Sequence, residues 1–494
     1  MKTNFFHSFF LSFLIIASSS MMLKAMEEGS SQEQNSQGKA SQGDKLFNLT
    51  LASPTKSTLF RSDQNGCEMP LLLNSLDKTK KGDSINAALF RLTHSPLANK
   101  LKRKALEGVN VTVNVSGKDE KTVKKAKTLK DSGARVLIFD DEKIDLHEKT
   151  IAWNYTDANG EKQYRTRIGS QNFTYQAING GNLETVIYDQ DPELHASTIT
   201  DLNKIAKHSK ELSKQKVISP TSPLKTIGNN VLIATPQKKT KISSFKFDLN
   251  KTLNQRIKKA DDELYINMFT IDPKNTADLV QAASRGALTQ LNVDFTSLNN
   301  ASVMRDLLKC AALGTKVYVF NHDHSQKFAD KYPLINHAKI MTRKNKDGSV
   351  LSMISTQNMT TSNNADINSQ IFYPDDKQLA EQLKSAIIEF GDKSVPIESL
   401  CDKNEWQLAQ LDARLTFLSK AIKREQNNNN NNNCSKQKHQ GNIQNCLKLM
   451  NELTNSPFYK KQSNKDAFGN YYYNVRTQLY HLAKQLDYKD AKLD

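Results

Sequence analysis

Two stretches of the chain repeat one order of apolar and polar positions. In the first, the apolar run INAALFRL (85–92) leads into an amphipathic stretch to Glu107, then Gly108 and the alternating run VNVTVNV (109–115). A second amphipathic stretch reaches Ser132, followed by Gly133 and ARVLIF (134–139). The second copy has ELYINMFTI (263–271), a stretch to Arg285, Gly286, LTQLNVDF (288–295), a stretch to Leu313, Gly314 and TKVYVF (315–320). Short β-branched runs predict strands, and the amphipathic stretches predict helices. A glycine closes each predicted helix, where a left-handed residue is favoured. Gly108 to Gly286 is a shift of 178 residues and Gly133 to Gly314 a shift of 181, so the chain carries an internal duplication. Strands alternating with helices predict parallel βαβ units, hence an α/β fold with two similar halves.

The pattern also sets boundaries. Half-domain 1 is expected over 68–206 and half-domain 2 over 249–395. Residues 207–248 are rich in Lys, Ser, Pro and Thr and read as a surface linker with one strand at VLIA (231–234). Beyond 396 the chain reads as a helical extension, with helices around TFLSKAIK (416–423), NIQNCLKLM (442–450) and YNVRTQLYHLAKQL (473–486). The run Asn427 to Asn433 is low in complexity and predicts a loop. At the other end, Lys2 precedes an apolar run from Phe5 to Ala17, then Ser18 to Ser20 and a small residue at Ala25 suited to cleavage nearby. That run is shorter than the ~20 residues a bilayer span needs, so 1–25 is expected to be a secretion signal. Residues 26–67 are polar and predict a disordered leader. The expected product is a secreted or periplasmic monomer with no transmembrane helix.

Composition narrows the partner. The formal net charge of +17 favours an anion, whether nucleic acid, an anionic lipid surface or a phosphorylated substrate, though lysine excess also serves solubility. Five cysteines, Cys67, Cys310, Cys401, Cys434 and Cys446, leave at least one that is free or pairs between chains. Cys434 and Cys446 could bridge each other, or either could bridge Cys401. None has zinc-site spacing.

Each copy continues into a His-x-Lys motif: His147-Glu148-Lys149 in the first, His337-Ala338-Lys339 in the second. On a strand, residues i and i+2 share a face, so each His and Lys project together while Glu148 or Ala338 turns away. The motif alone is weak, and a third match, His208-Ser209-Lys210, sits in the lysine-rich linker start as an internal control. Matched downstream residues distinguish the first two. Lys149 is followed by Gly169-Ser170-Gln171-Asn172 and then Asn182-Leu183-Glu184. Lys339 is followed by Ser355-Thr356-Gln357-Asn358 and then Asn368-Ser369-Gln370. His322-Asp323-His324 reads as a loop, and Trp153 as core.

These paired, ordered motifs resemble the phospholipase D superfamily, over about residues 70–390. The resemblance implies two α/β halves packed edge to edge, with one active site on a pseudo-twofold axis. It implies phosphodiester chemistry without a metal or other cofactor, on a phospholipid or a nucleic acid. One histidine attacks phosphorus and the other protonates the leaving alcohol and later activates water; the resemblance favours His147 as the nucleophile. Lys149 and Lys339 neutralise the phosphate oxygens, and Asn172, Asn358, Ser170 and Thr356 donate hydrogen bonds to them. Glu184 and Gln370 match the residues that orient the histidines; if they reach across the axis, Glu184 supports His337. Phospholipid head-group hydrolysis heads the expectations, followed by nucleic-acid cleavage and an inactive anion- or membrane-binding module. The sequence departs from the family pattern at Asn154 and Lys344, where an aspartate of mainly structural role is usual, at Ser355-Thr356, which stands for Gly-Ser and keeps a hydroxyl, and at Gln370, which replaces an acid.

Overall fold

The computed structural model describes residues 57–61, 68–179, 181–212, 217–218, 240–243, 249–320, 327–328, 332–333, 335–360, 366–427, 433–455 and 467–486. The expected signal segment, nearly all of the leader, VLIA, His322 to His324 and Asn428 to Asn432 lie outside them. Every described residue falls within one unit, Phe47–Asp494.

The first half contains strands β1 (Ser57–Arg61), β2 (Ser84–Leu89), β3 (Asn110–Ser116), β4 (Arg135–Phe139), β5 (Lys149–Thr156), β6 (Lys162–Gly169) and β7 (Thr185–Asp189), with β8 (Lys210–Leu212) and β9 (Val217–Ile218) at one edge. Among the described residues they form a mixed sheet in the order β1-β7-β6-β5-β2-β3-β4-β8-β9. The second half repeats it with β10 (Thr240–Ser243), β11 (Glu263–Met268), β12 (Leu288–Asp294), β13 (Lys316–Phe320), β14 (Ile340–Lys344), β15 (Val350–Ser355), β16 (Ser369–Pro374) and β17 (Val395–Pro396), in the order β10-β16-β15-β14-β11-β12-β13-β17. In each half three parallel strands, β2-β3-β4 and β11-β12-β13, meet an antiparallel set. The linker therefore gives strands to both sheets at places other than VLIA.

Helices α1 (Glu68–Asp77), α2 (Ser95–Leu106) and α3 (Glu120–Lys130) cover one face of the first sheet, and α4 (Pro192–Lys207) covers the other. The second half has α5 (Leu249–Lys258), α6 (Pro273–Ser284) and α7 (Ala301–Ala312) on one face and α8 (Lys377–Asp392) on the other. The alternating positions do what their period predicts. Val111, Val113 and Val115 of β3 enter the core beside Trp153, which is fully buried, its ring edge-on to Tyr188. Gly133 and Gly314 end the equivalent helices α3 and α7 at φ +89° and +102°, a conformation that a side chain disfavours.

The halves meet through apolar side chains of both sheets: Ile168 and Ile187 lie in one cluster with Ile354, Ile371 and Tyr373. Three long helices complete the chain, α9 (Lys403–Asn427), α10 (Asn433–Thr454) and α11 (Ala467–Gln485), with a core of their own. They are longer than the apolar stretches predicted. Among the described residues no helix is long and apolar enough to cross a membrane. Cys310, Cys401 and Cys446 carry free thiols, so the bridges considered for Cys401 and Cys446 are not formed.

Candidate active site

Both His-x-Lys motifs sit where a strand begins. Lys149 opens β5 and Lys339 immediately precedes β14. Each motif is joined to the opposite half by backbone pairing. His147 N–H donates to Ile367 O at 3.0 Å, and His337 N–H donates to Leu183 O at 2.9 Å. Asn182–Leu183 pairs in parallel with Ile335–Asn336, and Leu146 bridges Ile367 in the same sense. This reciprocal exchange is a local pseudo-twofold, and it brings both histidines and both lysines into one site.

The ring nitrogens continue the exchange. His337 Nδ1 lies 3.0 Å from each carboxylate oxygen of Glu184, and His147 Nδ1 lies 2.9 Å from Asn368 Oδ1. With Nδ1–H donating to these oxygens, Nε2 of each ring is left for chemistry. The expected partner Gln370 is replaced by Asn368. Strand register explains the slip: Gly169 pairs with Val186 while Ser355 pairs with Gln370, so Gln370 matches Val186 and Asn368 matches Glu184. The spacing from Asn172 to Glu184 is two residues longer than that from Asn358 to Asn368, and aligning on Asn182 concealed this. The hydroxyl residue that follows each partner, Thr185 or Ser369, was the signal that could have fixed it.

Two phenylalanines carry no motif of their own, although both stand in the repeats, at the same place after β2 and β11. Phe90 tilts against His147 with centroids 4.8 Å apart, and Phe269 against His337 at 4.9 Å. The same rings lie under the lysines, with Lys149 Nζ 5.0 Å from Phe90 and Lys339 Nζ 5.3 Å from Phe269. Each ammonium donates to the carbonyl of its own motif histidine at 2.6 Å. Aromatic faces attract these cations where water is scarce.

Burial governs the electrostatics. Lys149 and Lys339 are fully buried, and their histidines are 8% and 6% exposed. Burial pushes the His147 imidazole well below its usual range, and the nearby Lys149, Lys339 and His337 push it further. Burial also lowers His337, but less, because the Glu184 carboxylate favours its protonated form. Burial tends to raise Glu184, yet His337 and Lys339 outweigh it and hold the carboxyl down at about 2. Burial lowers Lys339 to about 7, against the opposing pull of Glu184 and Asp294. Lys149 is pushed well below the usual lysine range by burial and by Lys339.

The remaining predicted residues divide. Asn172 and Asn358 each have a buried Oδ1 with no hydrogen-bond partner, in equivalent places. Ser170 and Thr356 are wholly buried and occupied: Thr185 N–H donates to Ser170 Oγ at 3.0 Å, Ser369 N–H donates to Thr356 Oγ1 at 2.9 Å, and the Thr356 hydroxyl donates to Asn368 Oδ1 at 3.1 Å. Their hydroxyls hold the partner strand and orient Glu184 and Asn368, which corrects the expectation of direct phosphate contact. Gln370 keeps a buried Oε1 without a hydrogen-bond partner, and the histidine rings bond to Asn368 and Glu184 instead. Glu148 turns away from its histidine as expected but reaches the other half, accepting hydrogen bonds from Thr150 Oγ1 at 2.7 Å and from Ser369 Oγ.

The two residues that stand at the family's aspartate position keep a cross-strand tie. Asn154 Nδ2 donates to Ser84 Oγ at 2.7 Å, and Lys344 faces Glu263 at 3.9 Å in the equivalent place. The control motif lies elsewhere: His208 caps α4 and Lys210 pairs with Asp140 at 2.8 Å. Among the described residues, no three His, Cys, Asp or Glu side chains converge as a metal site.

Two duplicated α/β halves that each supply an imidazole and an ammonium to one buried site define a phosphodiester-handling class of fold. A sequence model of the cardiolipin synthase, PLD-like domain matches this chain twice, over residues 72–206 and 253–390. These spans are more than half of the chain, which belongs to the phospholipase D superfamily. No curated protein matches it. Among solved structures, polyphosphate kinase from Porphyromonas gingivalis aligns with 14% identity and a TM-score of 0.46, covering 70% of this chain and 54% of that one. This chain therefore spans about half the length of that kinase. Phosphatidylserine synthase from Haemophilus influenzae aligns with 11% identity and a TM-score of 0.46, covering 73% of this chain and 93% of that one. Nuc, a phospholipase D family member from Salmonella typhimurium, aligns with 19% identity and a TM-score of 0.26, covering 32% of this chain and 97% of that one.

Proposed function

We propose that this protein hydrolyses phosphodiesters through a phosphohistidine, with His147 as nucleophile and His337 as acid and then base. The observation that carries the reading is the unequal partnering of two otherwise equivalent imidazoles. The reaction needs one ring neutral and one protonated before it starts. His147, held by an amide and surrounded by cations, stays neutral, whereas His337, held by a carboxylate, is the better proton carrier.

In the first step His147 Nε2 attacks phosphorus, a P–N bond forms, and the P–O bond to the leaving alcohol breaks. His337 gives its Nε2 proton to the departing oxygen. In the second step neutral His337 takes a proton from water, the hydroxide attacks phosphorus, the P–N bond breaks, and His147 leaves as the neutral ring. Lys149 and Lys339 hold the non-bridging oxygens, and the amides of Asn172 and Asn358 supply further hydrogen bonds. These groups need no metal for charge neutralisation, so turnover should persist in excess chelator. An alcohol in place of water would turn hydrolysis into head-group transfer at the same site.

The test uses a diester with a leaving group good enough to depart unprotonated, such as p-nitrophenolate. In His337→Ala the first step should survive, giving a burst of one p-nitrophenolate per chain and a phosphoenzyme labelled at residue 147. His147→Ala should give neither burst nor label. A label on His337 in the unaltered chain reverses the assignment, and normal turnover by both variants ends the enzymatic reading.

A further inference from the structure

Helices α3 and α7 occupy equivalent places, each between the second and third parallel strands of its half. Their surroundings differ. Helix α7 is covered by the C-terminal helices: Lys309 pairs with Asp412 of α9 at 2.6 Å, and Arg305 lies 5.3 Å over the Tyr471 ring of α11. Helix α3, sequence EKTVKKAKTLK, sets Lys121, Lys124, Lys125, Lys127 and Lys130 against one acid, Glu120, and Lys118 precedes it. Lys118, Lys121, Lys124 and Lys127 are exposed, and among the described residues none of the four is ion-paired. On the neighbouring α2 most cations are paired, Lys100 and Arg103 with Asp77 and Lys104 with Glu107 at 2.8 Å.

Other residues of α3 tie the helix to the chain beside the active site. Thr122 Oγ1, in the first turn of α3, accepts a hydrogen bond from Leu92 N–H at 2.9 Å, and Lys125 Nζ reaches Ser95 Oγ at 3.0 Å. The segment they hold, Leu92 to Ser95, follows closely on Phe90, the ring packed on His147. Between them stands Arg91, exposed, with its guanidinium 5.2 Å over the Phe90 ring. Cations thus run outward from the site through Arg91 and along α3, where Lys121, Lys124 and Lys127 follow one side at i, i+3 and i+6 over about 9 Å of rise.

We propose that α3 binds the phosphate backbone of a nucleic-acid strand and leads it past Arg91 to the His147–His337 site. This rests on the phosphodiesterase reading and names its substrate class. A single lipid molecule bound at the site brings no run of phosphates to meet six lysines. A helix that lies in a lipid surface inserts apolar side chains, and none of the large exposed apolar residues of the described surface belongs to α3. Lysines that contact phosphates release counterions, so binding through them is steeply salt-dependent.

The experiment measures anisotropy of a labelled single-stranded DNA of about 20 nucleotides, across a salt series, with the His147→Asn/His337→Asn chain to prevent cleavage. Adding Lys121→Ala, Lys124→Ala and Lys127→Ala should weaken binding at least tenfold near 0.1 M salt. It should also flatten the slope of log K against log salt by about 2, at roughly 0.7 per phosphate contact. The same three substitutions in the otherwise unaltered chain should leave hydrolysis of bis(p-nitrophenyl) phosphate unchanged. An unchanged affinity and slope overturn the proposal. So does α3-dependent binding to phosphatidylglycerol vesicles without any to DNA. A chain that cleaves no diester yet keeps α3-dependent DNA binding refutes the catalytic reading and leaves the surface standing.

Discussion

Two ammonium groups buried beside two imidazoles repel one another until an anion arrives among them. Lys339 is held at about 7 by burial, so the empty site carries that charge below neutrality and loses it as pH rises. A bound oxyanion favours the protonated lysine, and binding above pH 7 must therefore draw a proton from solution. Sulfate tests this well because its own charge is constant across the range. As a competitive inhibitor of diester hydrolysis, its Ki should rise about tenfold per pH unit above 7, roughly 100-fold by pH 9 if Lys339 alone is counted. A Ki that stays flat from pH 6 to 9 would show that no buried ammonium titrates there. Glu184 and Asn368 show the same principle by contrast. They occupy one place in two halves, and only the first can bear charge, so an approximately symmetric frame holds two histidines of unequal basicity.

Strands and helices fix these groups by means that also differ between the halves. Arg167, wholly buried in β6, donates to Glu68 Oε1 at 2.9 Å, to Gln171 Oε1 at 2.7 Å and to the carbonyl of Lys149 at 3.1 Å, and its guanidinium lies 4.3 Å over Phe173. It ties the start of α1, the strand of the first motif lysine and the turn that carries Asn172. In the second half the matching strand position is Met353, since Ile151 pairs with Arg167 as Met341 pairs with Met353. Arg167→Met should cost about 3–5 kcal/mol, because it strands the Glu68 carboxylate in the interior. Adding Glu68→Gln should return part of that loss in urea unfolding, whereas strictly additive losses would reject the coupling. Much of the element level was legible in the sequence. Alternation gave the strands, the glycines gave the helix ends, and the near-constant offset gave the duplication. What stayed hidden depends on register and on contacts between halves. A two-residue slip keeps a side chain on the same face of a strand, so no alternation pattern betrays Gln370 as the wrong partner. Nor does local sequence say that Ser170 and Thr356 spend their hydroxyls inside the fold, or that each imidazole is held by the opposite half.

At the scale of the whole molecule the near-symmetry of the halves is broken by the C-terminal helices, which pack on the second half. Their attachment converges on Asp412, which accepts from Lys309 at 2.6 Å and from the Tyr471 hydroxyl at 2.9 Å. Ala409 and Ala413 of α9 belong to the second half's core, and Lys420 donates to Ser284 O at 2.9 Å. The three helices also keep a separate core of leucines and tyrosines, so they are expected to open as a unit before the sheet beneath does. Asp412→Ala leaves the nearly buried ammonium of Lys309 without its carboxylate and the Tyr471 hydroxyl without an acceptor, at a cost of about 3 kcal/mol. The loss should fall on the attachment. Amide exchange should quicken across α9 to α11, while protection in β14 and β15 and hydrolysis of a small diester stay as they were. Parallel loss of protection in the motif strands would show instead that the extension and the catalytic half unfold as one body, and that the site owes its geometry to helices far from its chemistry.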